Sequence, residues 1–175
     1  MIPASIPLES SEAERIAREV YGLEAQADPL PGYVDSNFLL RTAAGERRVL
    51  KVSPPAVDRQ ALECQTQALI YLADTPLADR VPRIIPALDG RTLPSVDQGQ
   101  GGTRPVQLLS YLEGVPLAGV QKRPPGLLRD LGGTLARLDL ALRGFHHPGA
   151  HRSLAWDLTR THELARLAAG PAYPR

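Results

Sequence analysis

Val49-Leu50-Lys51-Val52 sets one ammonium group at the end of an otherwise apolar segment. A lysine so placed can reach into a cleft and hold nucleotide phosphates as a compact point charge. The alternative is an edge-strand lysine on a solvated face. Upstream, Gly32-Tyr33-Val34-Asp35-Ser36-Asn37-Phe38 supplies a glycine, turn-forming polar residues and several backbone N–H groups. Such a loop either covers phosphates by amide donation or simply turns a hairpin. Neither G-x-x-x-x-G-K-[ST] nor G-x-G-x-x-G occurs, so a P-loop is excluded. Glu63 follows on a helical segment, where a carboxylate can steady a phosphate-binding lysine or be a surface charge. It lies about 100° around that helix from Leu62, while Gln65 falls on the apolar face. Leu109-Ser110-Tyr111-Leu112-Glu113-Gly114 is a strand running out into a glycine. Its backbone groups can pair with an adenine edge, or the segment is a plain strand and turn.

These residues need a frame. Residues 11–22 form a predicted helix, with Ala13, Ile16, Ala17 and Val20 on one stripe, Ser11 and Glu14 as a capping box and Gly22 as its stop. Residues 24–53 read as strands, Asn37–Thr42 and Glu46–Val52 flanking the short loop Ala43-Ala44-Gly45. After Pro54-Pro55 comes a predicted helix over 57–73, with Leu62, Gln65, Leu69 and Leu72 on one face. Residues 82–88 read as a strand, Asp89-Gly90 as a turn, 97–103 as a glycine-rich loop and 106–112 as a strand. Leucines at 127, 128, 131, 135, 138 and 142 mark a helix over 125–143, and a further helix containing Trp156 is expected over 153–168. The tail, 170–175, reads as unstructured. The expected class is α+β, with a boundary near Gly114: 1–113 one lobe, 114–175 a hinge and the start of an incomplete helical lobe.

The 175 residues suit one domain or slightly more. A net charge of +1 gives no steering toward nucleic acid or an anionic membrane. No apolar run approaches the roughly 18 residues of a membrane span, and residues 1–5 lack the features of a signal peptide. The single Cys64 excludes an internal disulfide framework and a cysteine-based zinc site, and fits a reduced cytoplasmic setting. His146, His147 and His151 sit in a Pro/Gly-containing loop, and His162 on the last predicted helix. They lack i, i+4 spacing and a carboxylate partner cluster, so they read as loop and surface residues rather than metal ligands. No G-x-S-x-G nucleophile elbow occurs.

In combination, the order of these motifs resembles the aminoglycoside phosphotransferase family of kinase-like enzymes, over about residues 10–168. The match runs through the Gly32–Phe38 loop, Val49-Leu50-Lys51-Val52, Ala68-Leu69-Ile70-Tyr71-Leu72, Val81-Pro82-Arg83-Ile84-Ile85-Pro86 and Leu108–Gly114. Gly32–Phe38, Glu63–Leu69 and Ala155-Trp156-Asp157-Leu158 are most similar to the hydroxylysine kinase branch, which includes bacterial proteins fused to a class III aminotransferase. Type-two homoserine kinase is a neighbouring possibility.

The resemblance implies a kinase-like N-lobe, an antiparallel sheet with flanking helices, followed by the first helices of a C-lobe. It implies that Lys51 holds the α and β phosphates of ATP and that Glu63 orients it, although many members carry that glutamate where this chain has Gln65. Asp35, Ser36 and Asn37 would lie in the loop over the phosphates. Ser110 C=O and Leu112 N–H would pair with adenine, with Leu109 behind the ring and Trp156 near the substrate side as packing. The substrate would be the hydroxyl of a small amino-bearing molecule, with Mg²⁺ as the metal.

Family members complete catalysis with H-x-D-x-x-x-x-N and a later magnesium-binding aspartate. This chain has a single asparagine, Asn37, and no aspartate with an asparagine five positions on. The sequence therefore leads us to expect an enzyme fragment that binds nucleotide without turning it over. The alternative is a non-catalytic module, derived from a kinase-like lobe, that binds nucleotide or a partner.

Overall fold

The computed structural model describes residues 8–97, 99 and 102–151. Its first element, α1 (Ser10–Tyr21), forms where apolar residues recur at helical spacing, and Ala13, Ile16 and Ala17 are fully buried. The helix stops at Gly22, whose φ of 65° lets the N–H groups of Gly22 and Leu23 donate to the carbonyls of Arg18 and Ala17. The expected Ser11–Glu14 capping box is not used. The N-cap is Glu9, without a side-chain cap. Glu14 instead accepts from the Ala27 N–H at 3.0 Å, tying the helix to the sheet.

The strands are β1 (Gln26–Leu30), β2 (Ser36–Arg41), β3 (Arg47–Val52), β4 (Ile84–Ile85), β5 (Ser95–Asp97) and β6 (Thr103–Ser110). They pair antiparallel in the order β1-β2-β3-β6-β4, with β5 paired to the start of β6. Pro29 is tolerated because β1 is an edge. Gly45, at φ 81°, closes the β2–β3 hairpin. The strand expected over 82–88 shrinks to two residues between Pro82 and Pro86, which cannot donate ladder hydrogen bonds. The strand expected over 106–112 runs instead from Thr103 to Ser110, and its partner β5 was not anticipated.

Strand alternation gives this sheet two faces of different use. Phe38, Leu40, Leu50, Val52, Val106 and Leu108 pack on Ala13, Ile16 and Ala17 of α1 as the main core. Each large side chain so buried contributes roughly 1.5–3 kcal/mol. Helix α2 (Arg59–Ala73) is tied to the opposite face. Its N-cap Asp58 accepts from the Ala61 N–H at 3.1 Å, which moves the start from the expected residue 57. Gln65 is exposed, contrary to the sequence reading, and Thr66 takes the buried polar position. Thr66 Oγ1 donates to the Leu62 carbonyl at 2.9 Å and accepts from Gln107 Nε2 at 2.7 Å. That second bond joins α2 to β6.

Beyond Ser110 come α3 (Pro125–Leu142) and a 3-10 turn at Pro148–Ala150 that rests on the start of α2. The approach there is close enough to demand glycine. A Cβ on Gly149 would lie 2.2 Å from the Gln60 carbonyl oxygen. The leucines of α3 stay largely open: Leu127, Leu128, Leu131, Leu135 and Leu140 are all exposed. The helix expected over 153–168 and Trp156 lie outside the described residues. No described helix is long and apolar enough to cross a membrane.

Candidate functional site

The sheet face turned from α1 carries two cross-strand rows. Register aligns Asn37 with Lys51 and Lys51 with Gln107. The adjacent row runs Leu39, Val49, Leu109 and Ile84. Leu39 and Leu109 are buried, Val49 and Ile84 half-buried, and none of the four belongs to the main core cluster. A strip of apolar side chains thus lies beside a lysine, on the face that the principal core does not use.

The Lys51 ammonium is 3.1 Å from Asp35 Oδ2, with side-chain exposures of 27% and 21%. The other Asp35 oxygen accepts from Ser53 Oγ at 2.8 Å. Ser53 is itself buried, and its carbonyl accepts from Arg104 Nε at 3.1 Å. Burial pulls the Arg104 guanidinium below its ordinary pKa, and the Asp35 carboxylate opposes that shift. The Asp35 carboxylate therefore pairs with Lys51 and lies within electrostatic reach of Arg104. The loop that carries Asp35 is folded tightly: a Cβ on Gly32 would lie 2.3 Å from the Asp35 carbonyl oxygen and 2.6 Å from Asn37 Nδ2. Asn37 Oδ1 is buried and has no hydrogen-bond partner among the described residues. Ser36 opens β2, opposite Val52.

Glu63 is held elsewhere. Its carboxylate accepts from Arg59 Nε at 3.0 Å, and Arg59 also donates to Ser95 Oγ at 2.9 Å and to the Leu93 carbonyl at 3.3 Å. Glu63 lies three residues before Thr66, whose hydroxyl bonds Gln107. At the far end of β6, the Ser110 N–H donates to the Arg83 carbonyl and Ser110 Oγ accepts from the Arg83 N–H, both at 2.9 Å. Leu112, just beyond, is 43% exposed. Arg47 lies 4.6 Å over the Tyr111 ring and pairs with Glu113, fastening the connecting segment to β3.

The structure thus brings Lys51, Asp35 and Asn37 together on one side of the strip, with Ser110 and Leu112 toward the other, while strand alternation turns Ser36, opposite Val52, to the α1 face. Sequence reasoning missed Ser53, Arg104, Thr66 and Arg59. Ser53 follows two residues after Lys51 and shares its strand end, a usable signal. Arg104 carried none, because it meets Ser53 across 51 residues of sequence. The histidines turn out to be structural in part: His147 stacks with Phe145 at 6.4 Å between ring centres and accepts from the Gly149 N–H through Nδ1. Among the described residues no three His, Cys, Asp or Glu side chains gather as a metal-binding group.

Comparison with known proteins gives this geometry a setting. A family profile described as "Phosphotransferase enzyme family" matches residues 27–173. Hydroxylysine kinase of Danio rerio is 32% identical over 162 residues, which cover 87% of this chain and 45% of the relative. The Xenopus laevis hydroxylysine kinase is 27% identical over 175 residues, covering 92% of this chain and 46% of its own. The chain spans about half the length of the curated relatives it matches. Among solved structures, the amicoumacin kinase hAmiN in complex with AMP-PNP, Ca²⁺ and Ami superposes with a TM-score of 0.69 at 14% identity, over 95% of this chain and 55% of that one. A microcompartment-associated aminopropanol kinase gives a TM-score of 0.60 at 20% identity, over 87% and 46%. The fold is the kinase-like one, an antiparallel sheet with flanking helices.

Proposed function

This chain belongs to the phosphotransferase enzyme family, and from that premise we propose that it is the nucleotide-binding part of an ATP-dependent kinase for the hydroxyl of a small amino-bearing molecule. The observation that carries the reading is Lys51 beside the Leu39–Val49–Leu109–Ile84 strip, on the sheet face turned from the main core. An adenine ring fits an apolar strip flanked by backbone groups, and its phosphates then fall toward the ammonium. In this reading the 1–113 region is the nucleotide lobe and 114–175 begins a helical lobe. The backbone at Ser110 and Leu112 meets the adenine edge, Asp35, Ser36 and Asn37 cover the phosphates, and Glu63 would steady Lys51 only after leaving Arg59.

The described residues do not assemble a resident metal site, since their one carboxylate beside the phosphate end, Asp35, is engaged by Lys51 and Ser53. Mg²⁺ would arrive with the nucleotide and offset phosphate charge. The names of the relatives, hydroxylysine kinases, support an amino-bearing hydroxyl substrate. The resemblance to a branch with a fused class III aminotransferase supports such a neighbour on sequence alone. The lone Cys64 supports a cytoplasmic setting.

The asparagine and aspartate pattern of the transfer step is not found in these 175 residues. What these residues are proposed to do is therefore bind nucleotide. The second reading, a non-catalytic module, shares the same nucleotide site. Calorimetric titration with magnesium AMP-PNP tests the site. Saturable binding that weakens at least about tenfold in Lys51→Met, with the melting temperature retained, is expected. Equal binding by both proteins would remove Lys51 from the site.

A further inference from the structure

We propose that Asp35 is a specificity-determining residue of the phosphate site, an internal carboxylate that competes with nucleotide phosphate for Lys51 and so selects against nucleotide that carries no divalent cation. The inference rests on the nucleotide-site reading above and adds to it the choice between metal-bound and metal-free nucleotide.

Asp35 is not a loosely tethered surface acid. One oxygen is 3.1 Å from the Lys51 ammonium and the other accepts from buried Ser53 at 2.8 Å. Its side chain is only 21% exposed. Arg104, 4% exposed and bonded to the Ser53 carbonyl, feels the same carboxylate. The loop around it is tightly folded, leaving no room for a Cβ on Gly32, which would lie 2.3 Å from the Asp35 carbonyl oxygen. The negative charge is therefore held at the position toward which Lys51 would draw a phosphate.

The electrostatic consequence follows directly. Two cations and one carboxylate leave this corner a net single positive charge. A metal-free triphosphate carries about four negative charges, and it must either displace Asp35 or bind beside it at the cost of like-charge repulsion. A bound divalent cation removes half of that charge. Asp35 thus penalises free nucleotide more than its metal complex. The discrimination comes from a repulsive element rather than an additional attraction.

The test is a matrix of calorimetric titrations with AMP-PNP, in EDTA and in excess Mg²⁺, on the wild-type chain, Asp35→Asn and Asp35→Ser. Thermal melts of all three confirm folding, and the serine variant repeats the charge deletion with a shorter side chain should the asparagine disturb the loop. The expected result is that both variants bind AMP-PNP in EDTA about fivefold or more tighter than wild type, with a smaller gain in Mg²⁺, so that the metal preference narrows. If wild type binds but neither folded variant gains affinity in EDTA, or both lose it, Asp35 is an ordinary part of the binding loop and the inference is overturned while the nucleotide site stands. If no protein binds AMP-PNP under either condition, the nucleotide site itself falls, and this inference with it.

Discussion

Replacing Thr66 by valine deletes one oxygen at nearly constant shape, from a place where that oxygen makes two bonds. Loss of the bond to the Leu62 carbonyl costs little, since that carbonyl belongs to the helix. The other loss matters more. Gln107 is 3% exposed, and its Nε2 donates to Thr66 Oγ1 at 2.7 Å. Valine offers no acceptor, so a buried amide donor is stranded. Stranding a buried polar group costs about 1–3 kcal/mol, and we expect about 2 kcal/mol for Thr66→Val. At this chain length that corresponds to a fall of about 4–8 °C in melting temperature. The assay is urea unfolding at constant temperature, followed by circular dichroism. Adding Gln107→Met in the valine background removes the stranded donor and should recover at least half of the loss, a coupling that a double-mutant cycle measures. A Thr66→Val protein within about 0.5 kcal/mol of wild type, or additive single and double variants, would refute the idea that this bond fastens α2 to β6.

Four other substitutions probe other parts of the account. Leu50→Ala empties a fully buried position in the main core and should cost about 2–5 kcal/mol by urea unfolding. Gly149→Ala drives a methyl into the Gln60 carbonyl, 2.2 Å away, and should destabilise by about 1–3 kcal/mol; no loss would mean that the Pro148–Ala150 turn does not dock on α2 in solution. Asp58→Ala removes the α2 N-cap and should cost about 1 kcal/mol in the same assay. Gly32→Ala should disturb the Asp35 loop and weaken AMP-PNP binding by titration, with less effect on the melting temperature than Leu50→Ala has.

Local signals were legible where local physics decides. The α1 stripe and its Gly22 stop were readable because burial and a left-handed C-cap both leave marks within a few residues. So was the β2–β3 hairpin with Gly45, and with it the placement of Lys51 at a strand end. Tertiary choices were not. Glu14 had the spacing of a capping box, but β1 offered its carboxylate the Ala27 N–H. In α2 the expected face held at Leu62 and Leu72, which are buried, and failed at Gln65. A buried threonine bonded to a glutamine 41 residues away decided it for Thr66 over Gln65. Asp35, Ser53 and Arg104 come from three separate elements, and their cluster exists only once the sheet has formed.

The central claim is that nucleotide occupies the Lys51 face of the sheet, and methyl NMR reads that face directly. In protein labelled at isoleucine, leucine and valine methyls, titration with magnesium AMP-PNP should shift Leu39, Val49, Ile84 and Leu109 most. Leu40, Leu50, Val106 and Leu108, packed against α1, should move little. Shifts concentrated on the α1 face, or none at saturating nucleotide, would contradict the account.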